Sequence, residues 1–310
     1  MKAIEILMIC ILLFSAVFFV ITYVSFRFTF FVNRKNKKTN EIETPSGKIY
    51  DPYRQQMINW TEETRLMQPE EFSITSFDGL KLYGKFYEFD KNAPIELMFH
   101  GYRGTAERDL SGAVQRCFKL GRSALIVDQR TSGKSEGNVI TFGVNEHKDC
   151  LKWVDFAVKH FGEDVKIILT GISMGASTVL MASGKELPEN VIGVLADCGF
   201  TSAKEIIKKV IKDLKLPINI CYFFIKIGAK NYGNFDLEET SAIEQVAKSK
   251  IPIIFIHGEN DDYVPCEMSK KMFDACKSRK ELVTVKGAGH GLSYLVDNEL
   301  YFEKVTKFFY

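Results

Sequence analysis

The hydrophobic pattern divides the chain into two unequal parts. From Ile4 to Phe26 the residues are almost all large and apolar, and Glu5 carries the one charge. At 1.5 Å per residue, such a run is long enough to cross the hydrocarbon core of a bilayer. It continues through Phe18, Phe19, Ile21 and Tyr23 with no small-x-small cleavage site. It therefore predicts a retained anchor, not a removable leader. The polar stretch that follows holds one Pro and one Gly and reads as a linker. The pattern assigns residues 1–32 to a transmembrane anchor, 33–50 to a tether and 51–310 to a globular domain.

Within that domain Asp51 to Met67 is helix-compatible, with Pro52 suited to a first turn. Phe72–Thr75 and Leu80–Phe86 flank the turn signal Phe77-Asp78-Gly79 and predict an antiparallel hairpin. Short apolar runs then recur at Ile95–Phe99, Ala124–Val127, Val165–Thr170, Val191–Ala196, Ile253–Ile256 and Leu282–Val285. Helical patterns separate them. In Asn145–His160, the residues Cys150, Trp153, Val154 and Ala157 share one face with Phe161, while Ser173–Ser183 is a helix of small residues. A closing helix starts at Ser293. Continuous apolar strands alternating with helices predict an α/β fold, with a mostly parallel eight-stranded sheet covered on both faces. The alternation stops at about 200–249, where AKEIIKKVIKDLKLP and INICYFFIKIGAKNYG predict a short helical cap. Ligands of such sheets bind at the carboxyl ends of the strands.

Composition adds exclusions. A net charge of +2 gives no sign of a nucleic-acid partner. The seven cysteines are scattered and form no C-x-x-C pair, which argues against a disulfide framework or a zinc ribbon. They read as small apolar residues in a reducing compartment. Arg27, Arg34, Lys35, Lys37 and Lys38 follow the apolar run, against Lys2 before it. Positive flanks stay cytoplasmic, so the expected protein is a single-pass protein of the cell membrane with its globular domain in the cytoplasm.

The candidate chemistry centres on Gly171-Ile172-Ser173-Met174-Gly175, which follows a strand and opens a helix. That context predicts a nucleophile elbow, with Ser173 on a strained turn and no side chain on Gly171 or Gly175 where strand and helix converge. A serine hydroxyl needs a base. His147 and His160 sit in an amphipathic helix. His100 and His257 end strands and precede glycine, which suits structural roles. His290 lies in Gly287-Ala288-Gly289-His290-Gly291 after the last strand, and the order Ser, acid, His favours it as the base. The acid must come from the loop after Ile256, where Asp261 and Asp262 both qualify. The oxyanion donors are expected to be the amides of Met174 and Tyr102, the latter in the loop His100-Gly101-Tyr102-Arg103-Gly104-Thr105. No metal or organic cofactor is expected.

From about Phe72 to Tyr310 the chain resembles the α/β-hydrolase superfamily, in its serine aminopeptidase-like branch of small bacterial hydrolases. HGYRG, DQRTSGKSEG, GISMG, HGENDDYVP and GAGHG carry the resemblance. It implies that the acid is Asp261, four residues beyond His257. It implies acyl transfer but not a substrate, because the branch holds esterases, lipases, thioesterases and peptidases. The anchor and the apolar cap favour a carboxylic ester or lipid-type acyl substrate over a peptide. The complete Ser, Asp, His set argues against a binding-only role on this fold.

Overall fold

The computed structural model describes residues 2–33 and 41–310. Arg34, Lys35, Lys37 and Lys38 of the basic flank lie outside the described residues. Helix α1 (Lys2–Thr29) runs unbroken through the apolar stretch. A 3-10 turn (Lys48–Tyr53) leads into α2 (Arg54–Leu66), followed by the hairpin strands β1 (Glu70–Thr75) and β2 (Lys81–Tyr87). Then come β3 (Ile95–Phe99), α3 (Ala106–Lys119), β4 (Ser123–Asp128), α4 (Glu146–Phe161), β5 (Ile167–Ile172), α5 (Met174–Ser183) and β6 (Val191–Asp197). Helices α6 (Ala203–Asp213) and α7 (Ile218–Gly233) interrupt the alternation. It resumes with α8 (Ala242–Val246), β7 (Ile253–Gly258), α9 (Glu267–Ala275) and β8 (Lys280–Val285). Helices α10 (Ser293–Val296) and α11 (Asn298–Phe309) close the chain. The sequence pattern predicts one closing helix, from Ser293 to the end of the chain. The break falls at Asp297, whose side chain accepts from the Leu300 amide at 3.0 Å and so caps a new helix.

The eight strands form one sheet in the order β1-β2-β4-β3-β5-β6-β7-β8. β2 is antiparallel to both β1 and β4, and every pairing from β4 to β8 is parallel. The central strands are apolar because both faces are covered. Leu97, Phe99, Leu169, Val194 and Phe255 face one core with Trp153 and Val179, while Ile168, Leu195, Ile254 and Ile256 pack on Tyr301 and Phe308 of α11. The parallel strands all end at one edge of the sheet, where β3, β5, β6 and β7 release the loops that carry the site.

A third apolar cluster joins the end of α1 to the cap. Phe26 and Phe30 are buried with Phe142, Met174, Phe200, Ile207, Tyr222 and Phe235. The last turns of α1 are therefore part of the globular body. Phe30 is edge-on to Phe142 and Phe235, and the chain beyond it bonds to the β4–α4 loop through Ile140 N–H to Phe30 O (2.9 Å) and Val32 N–H to Asn138 O (2.8 Å).

Candidate active site

Ser173 stands between β5 and α5 with φ 57° and ψ −118°. A non-glycine residue at positive φ costs about 1–3 kcal/mol and persists only where its surroundings impose it. Here the Ser173 amide donates to Asp197 O at 2.8 Å, and β5 and α5 press together on both sides. A Cβ on Gly171 would lie 2.2 Å from the Gly175 backbone, and one on Gly175 would lie 2.0 Å from Phe99 O. Both neighbours are backbone and cannot swing away. Gly175→Ala is therefore expected to destabilise the protein by about 3 kcal/mol or more. A thermal midpoint equal to that of the native chain would show that the elbow has room for a methyl group.

Three loops converge on Ser173. His290 Nε2 lies 2.9 Å from Ser173 Oγ, and His290 Nδ1 lies 2.7 Å from Asp261 Oδ2. Burial works to raise the Asp261 carboxyl, but hydrogen bonds from His257, His290 and the Val264 amide outweigh it and hold the pKa at about 2. Asp261 is thus an ionised acceptor near neutral pH. The proton between it and His290 belongs to Nδ1, which leaves Nε2 free to accept from the Ser173 hydroxyl. The other oxygen, Oδ1, accepts the amides of Tyr263 (2.9 Å) and Val264 (2.8 Å). Asp261 is buried. The neighbouring Asp262 turns its carbonyl to Lys209 Nζ instead.

The β3–α3 loop supplies the opposite wall. Gln129 N–H donates to His100 Nε2 at 3.0 Å, so His100 carries its proton on Nδ1 and donates it to Gly101 O at 2.8 Å. A trans peptide sets C=O and N–H on opposite sides, so tying down Gly101 O turns the Tyr102 amide away from His100. Gly101 N–H is taken by Asp109 Oδ2 at 3.0 Å. Among the described residues no protein acceptor engages the Tyr102 amide, nor the Met174 amide at the start of α5. Gly101 approaches closely enough that a Cβ there would lie 3.5 Å from Ser173 Cβ.

The Tyr102 side chain points elsewhere. Its hydroxyl donates to Thr29 O at 2.7 Å, and its ring stacks on Phe142 with centroids 5.0 Å apart. Arg103 adds Nη2 bonds to Phe28 O (2.9 Å) and Phe31 O (3.3 Å). The exposed carbonyls at the end of α1 are thus capped by the loop that flanks Ser173.

His257 is fully buried. Its Nδ1 lies 2.6 Å from Ser269 Oγ and its Nε2 lies 2.8 Å from Val264 O and 3.2 Å from Asp261 Oδ2. It braces the acid loop. His147 is buried on α4 with Nδ1 3.1 Å from Gly143 O, and His160 packs against Phe156. Neither approaches Ser173. Asp128 accepts the Ala106 amide at the start of α3, and Arg130 pairs with Asp78 and Asp149. Those residues brace their loop.

Ser173 opens into a cavity of about 620 Å³. Its walls are largely apolar, with Ile49, Met57, Trp60, Leu110, Tyr294 and Leu295 among them. Pro45 to Tyr50, which the sequence pattern assigns to the tether, line this cavity beside Ser173. No local pattern marks them, because their partners are far away in the chain. Tyr263 is the other unforeseen neighbour, its ring 5.0 Å from that of His290.

The sequence profile of the prolyl oligopeptidase family matches residues 140–310. The Bacillus subtilis protein YqkD is 28% identical over 194 residues, which are 61% of this chain and 62% of that one. Protein bem46 of Schizosaccharomyces pombe is 24% identical over 63% of this chain and 60% of its own length. The chain thus spans about three-fifths of the length of these two curated relatives. Among solved structures, the esterase Pf2001 of Pyrococcus furiosus superposes with a TM-score of 0.66 at 23% identity, covering 81% of this chain and 93% of the other. Acylaminoacyl peptidase of Pyrococcus horikoshii does so at 0.57 and 17% identity, over 78% of this chain and 41% of its own. The structural likenesses establish the α/β-hydrolase fold. The profile match covers more than half of the chain, and the chain belongs to the prolyl oligopeptidase family.

Proposed function

We propose that the protein is a serine hydrolase that cleaves carboxylic esters of apolar acyl groups. In this reading His290 Nε2 takes the Ser173 proton as Oγ attacks the acyl carbonyl. The amides of Met174 and Tyr102 hold the oxyanion. His290 then returns the proton to the leaving group, and water releases the acyl chain by the same steps in reverse roles. The observation that carries the ester reading is the cavity. It meets Ser173 with a mostly apolar wall, which suits a hydrocarbon acyl chain. An aminopeptidase needs a free carboxylate for the substrate ammonium group. The two acids that line the cavity are engaged, Asp109 with Arg108 and the Gly101 amide, and Asp197 with Ser293 Oγ.

The anchor belongs to the same reading. Helix α1 holds the protein to a membrane as a single span, and the basic residues after it keep the hydrolase domain on the cytoplasmic side. The test is turnover of p-nitrophenyl esters of increasing acyl length beside aminoacyl amides of matched size. The expected result is kcat/KM rising from acetyl to medium-chain esters, with the amides slower throughout. Faster cleavage of the amides would make the protein a peptidase. No turnover of either, together with no labelling by a fluorophosphonate, would make it a binding protein on a hydrolase fold.

A further inference from the structure

Helix α1 changes character along its length. From Ile4 to Val20 its large side chains are mostly exposed, as at Leu12 (66%) and Phe14 (74%). From Thr22 onward it packs on the protein, with Thr22, Phe26 and Phe30 buried. The free part, Ala3 to Phe19, is about 25 Å long at 1.5 Å per residue, close to the thickness of a hydrocarbon core. Helix α7 lies alongside the docked part and runs in the same direction. Phe18 meets the rings of Phe223 and Phe224 at 6.4 and 5.5 Å, and Tyr23 meets Tyr232 at 5.3 Å. Gly228 allows this approach, since a Cβ there would lie 2.9 Å from Thr22 O. The start of α7, and the turn that joins it to α6, therefore stand level with the point where α1 leaves the protein.

That turn is built unlike the rest of the surface. Leu214, Leu216, Ile220 and Phe223 are exposed by 62%, 48%, 60% and 53%. Through Phe223, which meets Phe18, the patch adjoins α1. Lys215 adopts φ 56°, and the Leu216 amide folds back to Ile211 O at 3.1 Å, so α6 ends abruptly and the two leucines project. Lys212 and Lys215 stand on either side of Leu214, both exposed and without a carboxylate partner among the described residues, whereas Lys209 pairs with Asp213. Apolar side chains between unpaired lysines suit the headgroup boundary of an anionic bilayer.

We propose that the α6–α7 turn is a second membrane-contact surface, and that the bilayer receiving α1 also receives Leu214, Leu216, Ile220 and Phe223. This rests on α1 being an anchor. With two contacts the body is fixed in orientation, and the loop bearing Tyr102 and Arg103, bonded to the end of α1 about 15 Å along the helix from Phe19, is held at a set distance from the lipid surface.

The test uses the full chain in vesicles of phosphatidylcholine and phosphatidylglycerol, with Leu216→Trp and Phe223→Trp as separate variants. Phe89→Trp, on the β2–β3 loop at the opposite edge of the sheet, is the control. All three positions are exposed, and turnover of a short soluble ester checks that each variant is folded. Brominated lipids should quench the added emission at 216 and 223 by about half or more, as expected for rings about 5–10 Å inside the headgroup boundary. Emission at 89 should not change. Unquenched tryptophans at 216 and 223 in protein that resists carbonate extraction would overturn the contact while leaving the anchor intact. Release by carbonate would overturn both. Protection of the two positions that depends on protein concentration, without quenching, would assign the patch to a second copy of the chain and overturn the lipid assignment.

Discussion

Replacing Ser173 with alanine is expected to lower ester turnover by about a million-fold, the scale seen when a triad serine is removed from a serine protease, and to abolish fluorophosphonate labelling. The size follows from what the residue does in the proposed mechanism. The acyl group bonds to Oγ, and no other described side chain is placed to take over. Cys198 is the nearest thiol, with Sγ within 4.8 Å of ligand atoms of His290 and Asp261. Burial and the nearby Asp197 and Asp261 carboxylates push that thiol well above its ordinary pKa, so it stays protonated and inert. Alanine keeps the Cβ that the strained turn already accommodates, so the fold and its thermal midpoint should not change. The Met174 and Tyr102 amides also remain, and they leave a residual acceleration of about 10³–10⁴-fold over water. Labelling that persists in Ser173→Ala would place the nucleophile elsewhere.

The parts of this site that could be read from sequence are those whose geometry is local. The elbow declares itself because two glycines must flank a serine between strand and helix, and the Cβ clashes at Gly171 and Gly175 give the physical reason. The parallel strands were legible as unbroken apolar runs because both faces of the sheet are covered. Asp261 and Asp262 were inseparable by residue type. What distinguishes them is that Asp261 Oδ1 collects two backbone amides two and three residues ahead, which turns Oδ2 toward His290.

Other features depend on distant partners and left no pattern. Helix α3 is different: its buried stripe Ala106, Leu110, Val114 and Cys117 keeps helical spacing, and only Arg116, buried against Glu96 and Tyr301, departs from an amphipathic pattern. The cavity wall at 45–50 reads as polar linker, yet Ile49 packs near Gly289 of the loop that carries His290. Helix α1 reads as a free anchor because nothing in an apolar run marks which turns will dock. Its last turns instead cap the cluster that includes Met174, and its terminal carbonyls fix Tyr102 and Arg103.

Asp261→Asn is expected to lower kcat by about 10⁴-fold with little change in KM, as for the corresponding substitution in a serine protease. The amide is nearly isosteric with the carboxylate, and its oxygen can still accept the Tyr263 and Val264 amides at the Oδ1 position. The loop is therefore held. The NH₂ group then occupies the Oδ2 position, 2.7 Å from His290 Nδ1, and a donor there can only face an acceptor. His290 must shift its proton to Nε2. The nitrogen beside Ser173 Oγ becomes a donor and can no longer remove the hydroxyl proton. The same NH₂ also faces His257 Nε2, which Val264 O and Asp261 Oδ2 now share as acceptors, so some stability is lost there as well. Asp261→Ala would instead strip two amides of their acceptor and move the whole loop, confusing orientation with collapse. The asparagine variant separates them: its thermal midpoint should fall only slightly while kcat falls by orders of magnitude. A variant with near-native kcat would mean that His290 holds its tautomer without the carboxylate, and that Asp261 serves the loop more than the base.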